Sequence, residues 1–158
     1  MRSVCDHFEK DHDRLDGLFT EFQRLKRADY PAAKAHFKEF LTGLTRHIVW
    51  EEDVLFPLFE SKTGMADRGP TAVMREEHRV IKARLDALHD KVRAADPDSD
   101  AEERALLGVL KDHNVKEEQI LYPAIDQGLV PGELEAIEKA MAAIPKERYA
   151  SCCQSHAV

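Results

Sequence analysis

The chain has 158 residues, 43% of them hydrophobic and 34% charged, and carries a formal net charge of −7. That length accommodates one domain with a single substantial core, and the acidic balance argues against a nucleic-acid-binding surface. No apolar run approaches the ~20 residues that span a bilayer, and the start, Met1-Arg2-Ser3-Val4-Cys5-Asp6, lacks the apolar core of a signal peptide. Three cysteines make no disulfide framework. A cytoplasmic protein with neither membrane nor nucleic-acid partners is expected.

Helical periodicity dominates. Phe8, His12, Leu15, Phe19 and Phe22 recur at steps of three and four, giving one apolar face that carries a histidine and predicting a helix over about 4–27. Ala28 to Pro31 reads as a turn, with Pro31 at the first position of a second helix, about 31–60. Its face is Phe37, Phe40, Leu41, Leu44, His47, Glu51 and Leu55. Ser61 to Pro70 reads as a loop on its glycines and proline. A third helix, about 70–94, presents Met74, His78, Ile81, Leu85, Leu88 and Val92. After the break at 94–99, Ser99 with Glu102 predicts a capping box for a fourth helix, about 99–127. That helix presents Leu106, Leu110, His113, Glu117 and Leu121. A short fifth helix follows at about 132–143, and 145–158 reads as a polar tail. Short connections make consecutive long helices antiparallel. The expected fold is all-α: an up-down-up-down antiparallel four-helix bundle with a short fifth C-terminal helix, occupying residues 1–144.

The histidines on these faces are evenly spaced. His12 lies 35 residues before His47, and His78 lies 35 residues before His113, so the set repeats at an offset of 66 that also relates Glu51 to Glu117 and Pro57 to Pro123. From His12 the chain climbs ~24 Å to the turn, at 1.5 Å per residue, and descends ~22 Å to His47. Both imidazoles therefore reach the same level, and the second hairpin repeats the arithmetic. In His47-x-x-x-Glu51 and His113-x-x-x-Glu117 the two side chains sit one turn apart on one face. Each pair reaches one metal, or the carboxylate bridges two. Four nitrogens and two carboxylates exceed the four ligands of a closed zinc site. They suit two octahedral ions, iron first and manganese second. An accidental meeting of these six residues would strand several buried polar groups.

With Asp11-His12 and Glu77-His78 opening two helices, and Glu51-Glu52 and Glu117-Glu118 leading to Leu55-Phe56-Pro57 and Leu121-Tyr122-Pro123, the pattern resembles the hemerythrin-like, or HHE cation-binding, family over about residues 5 to 127. The resemblance implies a non-haem di-iron centre held by His12, His47, Glu51, His78, His113 and Glu117. In it Glu51 and Glu117 are bridging carboxylates beside an oxo or hydroxo bridge. Family members bind dioxygen, sense oxygen or iron, detoxify nitric oxide or peroxide, or repair damaged iron centres. Oxygen-carrying members have a further histidine one turn before the third-helix ligand and close the last motif with aspartate. Here those positions hold Met74 and Glu117, and Phe8 stands before His12. Two histidines per iron then favour a sensing, buffering or scavenging centre over reversible oxygen carriage. The expected partners are dioxygen, nitric oxide or peroxide, with electrons supplied by a separate donor protein. Peroxide or nitric oxide reduction and iron-centre repair are the alternatives.

Other residues receive lesser roles. Glu52 and Glu118 are expected to orient ligand imidazoles through their free N–H groups. His7, His36 and His89 read as non-ligands. Leu15, Leu44, Leu55, Ile81, Leu110 and Leu121 form a dry shell, with Phe8 and Met74 pointing at the site. Trp50, Phe56 and Tyr122 fall off the ligand face, as seam fillers. Cys5 approaches the site if the first helix starts early, and Cys152-Cys153 with His156 read as part of a tail.

Overall fold

In the computed structural model, which describes residues 1–150, the first helix starts where the Ser3 side chain accepts from the Asp6 amide at 2.9 Å. That bond satisfies one of the N–H groups a helix start leaves unpaired. α1 spans Val4–Leu25 and α2 spans Tyr30–Trp50, with Pro31 in the first turn of α2 and the Asp29 carboxylate accepting from the Ala32 amide at 3.2 Å. A five-residue π turn, Glu51–Leu55, runs without interruption into α3, Phe56–Thr63. Gly64 ends this rod at φ 70, a left-handed conformation that costs glycine no side-chain clash. α4 spans Pro70–Arg93 and α5 spans Asp100–Lys116. A second π turn, Glu117–Leu121, joins α5 to α6, Tyr122–Gly128. α7, Glu133–Ala143, follows, and part of the expected polar tail forms one more turn, α8, Glu147–Ala150. Among the described residues there is no strand, and no helix is long and apolar enough to cross a membrane.

The two π turns are the main departure from the uninterrupted helices that periodicity predicts. Each precedes a proline, Pro57 or Pro123, by a residue or two. Proline lacks an amide donor and crowds the preceding turn of an α-helix, and one extra residue in that turn relieves the crowding.

The helices form an all-helical bundle in which α1 packs along α2 and α4 along α5. α2 also touches α4, α6 touches α1 and α3, α7 lies on the first π turn, and α8 lies on α2. The apolar interior is divided. One cluster gathers Leu15, Phe19, Phe37, Phe40, Ile81 and Leu106. The other gathers Phe8, Leu55, Met74, Leu121, Tyr122 and, from α7, Ile137. His12 falls between Phe8 and Leu15 in sequence, and His78 between Met74 and Ile81, so the histidine level separates the two.

The end of the bundle away from α7 is fastened by a buried ion group. The Lys26 ammonium, 3% exposed, contacts both Asp100 and Glu103 at the start of α5. Burial works against its charge, but the two carboxylates outweigh burial and raise its pKa. Ser99 is drawn into this group: its hydroxyl donates to Glu103 Oε2 at 2.6 Å and makes no capping bond. The capping box predicted for Ser99 and Glu102 is therefore not formed: the Ser99 hydroxyl is directed to the Glu103 carboxylate, and its oxygen accepts from no amide of the first turn. Removing one partner of a buried pair strands the other's charge. Glu103→Ala is expected to lower stability by about 3 kcal/mol, read from the denaturant midpoint with the slope unchanged.

Candidate metal centre

The level between the two apolar clusters holds His12, His47, Glu51, His78, His113 and Glu117, none more than 4% exposed. α1 and α2 bring His12 Nε2 and His47 Nε2 to 3.1 Å of each other, and α4 and α5 bring the His78 and His113 rings to 4.8 Å between centroids. Each glutamate faces both pairs. Glu51 Oε1 lies 3.4 Å from His47 Nε2, and Glu51 Oε2 lies 3.1 Å from His78 Nε2. Glu117 Oε2 lies 3.8 Å from His12 Nε2, while its Oε1 is 3.9 Å from His78 Nε2 and touches His113 Nε2. Two groups able to hold a metal ion result: Glu51, His78, His113 and Glu117 in one, His12, His47 and Glu117 in the other. All six residues singled out by spacing thus meet in one place.

A carboxylate stands behind every imidazole. Glu118 Oε1 lies 2.7 Å from His12 Nδ1, Asp11 Oδ2 lies 2.9 Å from His47 Nδ1, Glu52 Oε1 lies 2.9 Å from His78 Nδ1, and Glu77 Oε2 lies 3.3 Å from His113 Nδ1. An ionised carboxylate only accepts, so each Nδ1 donates and each Nε2 is turned inward as the metal-facing atom. Glu52 and Glu118 take the role read for them. Asp11 and Glu77 were not read this way, although they obey the same 66-residue offset as the histidines they precede. Burial works against the Asp11 carboxylate, but His47 and Arg14 hold its pKa down at about 2.

One assignment needs correction. Tyr122 is not a seam filler: its side chain is fully buried and its hydroxyl enters the centre. Oη donates to Glu51 Oε1 at 2.6 Å, contacts Glu117 Oε2, and lies 3.2 Å from His47 Nε2 and 3.4 Å from His12 Nε2. On an α-helix, five residues past Glu117 would put Tyr122 ~140° around the axis. The π turn, closed by the Tyr122 amide donating to the Glu117 carbonyl, brings it back under the glutamate. Phe56 holds the equivalent position after Glu51, and its ring stacks on His78 at 5.7 Å and 13°.

The remaining candidates stay outside. The Phe8 ring packs 5.0 Å from His47 and 5.2 Å from Tyr122, and Met74 is buried in the same apolar cluster. Trp50 packs against Phe8 and His7, beneath the Arg46 guanidinium. His89 lies against Phe37 in the other cluster. Cys5 sits beside Asp126 instead of the imidazoles, and burial together with that carboxylate pushes its thiol up to about 12. Cys152, Cys153 and His156 lie outside the described residues.

The charge of the centre fits a cation. Burial, with Glu51 beside it, pushes the Glu117 carboxyl up to about 7. Burial likewise opposes ionisation of Glu51, but His47 holds that carboxyl well below the usual range. The imidazoles feel the reverse: burial disfavours their charged forms, yet Glu51 with Asp11 raises His47 to about 10, and Glu51 with Glu52 raises His78 to about 9. Glu51 Oε2, His78 Nε2 and Glu117 Oε1 are buried without a hydrogen-bond partner, and all three belong to one ligand group. A buried polar atom left unpaired is costly, and a metal ion satisfies all three together. A cleft of about 430 Å³ between α1 and α5 reaches the centre, with His12 and Glu118 among its lining residues together with Asp16, Lys111 and Asn114.

A helical bundle with paired histidine–glutamate groups in its interior is a cation-binding helical domain. The chain belongs to the hemerythrin HHE cation-binding domain family, whose model matches residues 3–125. It is similar to a DNA nickase of Nostoc sp. (28% identical, covering 84% of this chain and 36% of that protein) and to a hemerythrin-like protein of Schizosaccharomyces pombe (34% identical, covering 54% and 41%). It is also similar to the iron-sulfur cluster repair protein YtfE of Escherichia coli, at 24% identity over 78% of this chain and 65% of that protein. The chain thus spans roughly a third to two thirds of the length of these relatives. No solved structure gives a significant match.

Since Asp11 both orients His47 and raises its basicity, Asp11→Asn is expected to weaken metal affinity by about ten- to a hundred-fold. Competition against a graded series of chelators measures it, with circular dichroism confirming unchanged helix content.

Proposed function

We propose that this chain is a non-haem di-iron protein that binds dioxygen or a related small oxidant as a sensor, buffer or scavenger in the cytoplasm. In this reading residues 1–144 form one working unit, an up-down-up-down antiparallel four-helix bundle closed by α7. His12 and His47 hold one ion and His78 and His113 the other, while Glu51 and Glu117 bridge them. Manganese is the second choice of metal. The observation that carries the reading is the pair of glutamates, each turning one carboxylate oxygen towards one histidine pair and the other oxygen towards the second. One closed zinc site would not need that arrangement.

When bound, the iron pair supplies electrons and open coordination positions for dioxygen, nitric oxide or peroxide. The protein's own part is to fix and to exclude. The four outer carboxylates lock the imidazoles in one tautomer and one orientation. Phe8, Leu55, Met74 and Leu121 keep the α7 side of the centre dry, and Leu15, Leu44, Ile81 and Leu110 the opposite side. The cleft between α1 and α5 gives a small molecule its approach past His12. Turnover, as opposed to binding, requires an external electron donor protein.

Similarity to the repair protein YtfE supports a second reading, in which delivery of iron to damaged iron centres is the role. The two readings separate in one experiment: metal analysis, then anaerobic reduction, exposure to air and visible spectroscopy. Oxygen binding predicts about two irons per chain and a spectrum that cycles with oxygen. Iron delivery predicts rapid loss of iron to a mild chelator or an apo iron–sulfur acceptor. A colourless, zinc-filled protein sinks both. His47→Ala and Glu51→Ala are expected to abolish binding of the iron pair.

A further inference from the structure

The two halves of the centre repeat almost residue for residue. His12 matches His78, His47 matches His113, Glu51 matches Glu117, Asp11 matches Glu77, and Glu52 matches Glu118, all at the offset of 66. One oxygen breaks the pattern. The residue that the π turn brings under each bridging glutamate is Phe56 in one half and Tyr122 in the other.

We infer that the Tyr122 phenol oxygen is a ligand of the ion held by His12 and His47, so that the two ion positions are chemically unlike. The inference rests on the di-iron reading above and adds a residue to it. Donors about 2.1 Å from an octahedral ion sit ~3.0 Å from their neighbours. Tyr122 Oη stands 3.2 Å from His47 Nε2, 3.4 Å from His12 Nε2 and 2.6 Å from Glu51 Oε1, and it touches Glu117 Oε2. The His12 and His47 nitrogens are themselves 3.1 Å apart. The phenol oxygen thus stands beside all four donors on that side, and its distances to the two imidazoles are close to those expected within one coordination sphere. Among the described residues the other side has no such oxygen: Phe56 presents a ring face to His78, and the donors of that side include the three buried atoms without hydrogen-bond partners.

With Tyr122, the His12/His47 ion has five protein donors: two imidazoles, Glu51 Oε1, Glu117 Oε2 and the phenolate. The His78/His113 ion has four: two imidazoles and the remaining oxygens of the same glutamates. A hard phenolate oxygen favours the ferric over the ferrous ion, so the tyrosine biases oxidation towards the His12 side. On loading, the phenol O–H bond is replaced by an oxygen–metal bond and the proton leaves to solvent, with no change of oxidation state in that step.

The test uses the full chain loaded with ferric iron. The wild type is expected to show a visible phenolate-to-iron charge-transfer band, with tyrosine ring vibrations enhanced by resonance Raman excitation within it. Tyr122→Phe is expected to retain about two irons per chain and to lose both signals. Should the variant fail to fold, the wild-type protein still decides: zinc loading is expected to produce the near-ultraviolet difference spectrum of an ionised phenol. Two irons bound without ring vibrations, no phenolate signal with zinc, or signals surviving in Tyr122→Phe would each overturn the tyrosine assignment while leaving the di-iron reading intact. Failure of the wild type to take up metal overturns both.

Discussion

Glu51 and Glu117 are both entirely shielded from solvent, and between them they lie against all four imidazoles. Two anions in an apolar interior would cost far more than a small domain's whole stability unless positive charge met them. The rest of the molecule is organised around that requirement. The histidines bring acceptable charge or lone pairs, the outer acids steady the histidines, and the apolar core yields a layer to make room. The core is consequently split into two clusters with the polar level between.

The outer acids also tie helices together. Asp11 of α1 holds a ring from α2, Glu77 of α4 holds a ring from α5, Glu52 beyond α2 reaches α4, and Glu118 beyond α5 reaches α1. The four contacts close a circuit around the bundle. Each imidazole is therefore positioned from two elements at once, which limits the orientations open to it. A site arranged in advance gives up less conformational freedom when it is filled.

Much of this could be read from residue order. The six ligand candidates were legible because they repeat on amphipathic faces, where a period of 3.6 converts sequence spacing into position. Asp11 and Glu77 carried the same repeat but look like ordinary acids near a helix start, which hides their role. Tyr122 was illegible for a different reason. Its place follows from a widened turn, and counting at 100° per residue turns it away from the centre. Pro57 and Pro123 were the visible hint, since proline inside a continuous rod requires some local adjustment. Ser99 fits a local capping rule, but a buried carboxylate from the next turn draws its hydroxyl away from the helix start. Cys5 lay on the right face but at the wrong depth, beside the acid that caps α1: Asp126 accepts from the Val4 and Cys5 amides at 2.8 and 2.9 Å.

The widened turns make residue count, more than residue identity, the sensitive property of these segments. Deleting a single amino acid from 118–121 would restore ordinary winding and rotate everything downstream by about a quarter-turn. α6 would lose its seat against α1, and Asp126 would swing off the amides it caps. Substitutions that keep the length leave that winding in place. In descendants of this chain, insertions and deletions should therefore accumulate in the stretch between Thr63 and Pro70 and around Gly132, and be missing from both glutamate-to-proline intervals.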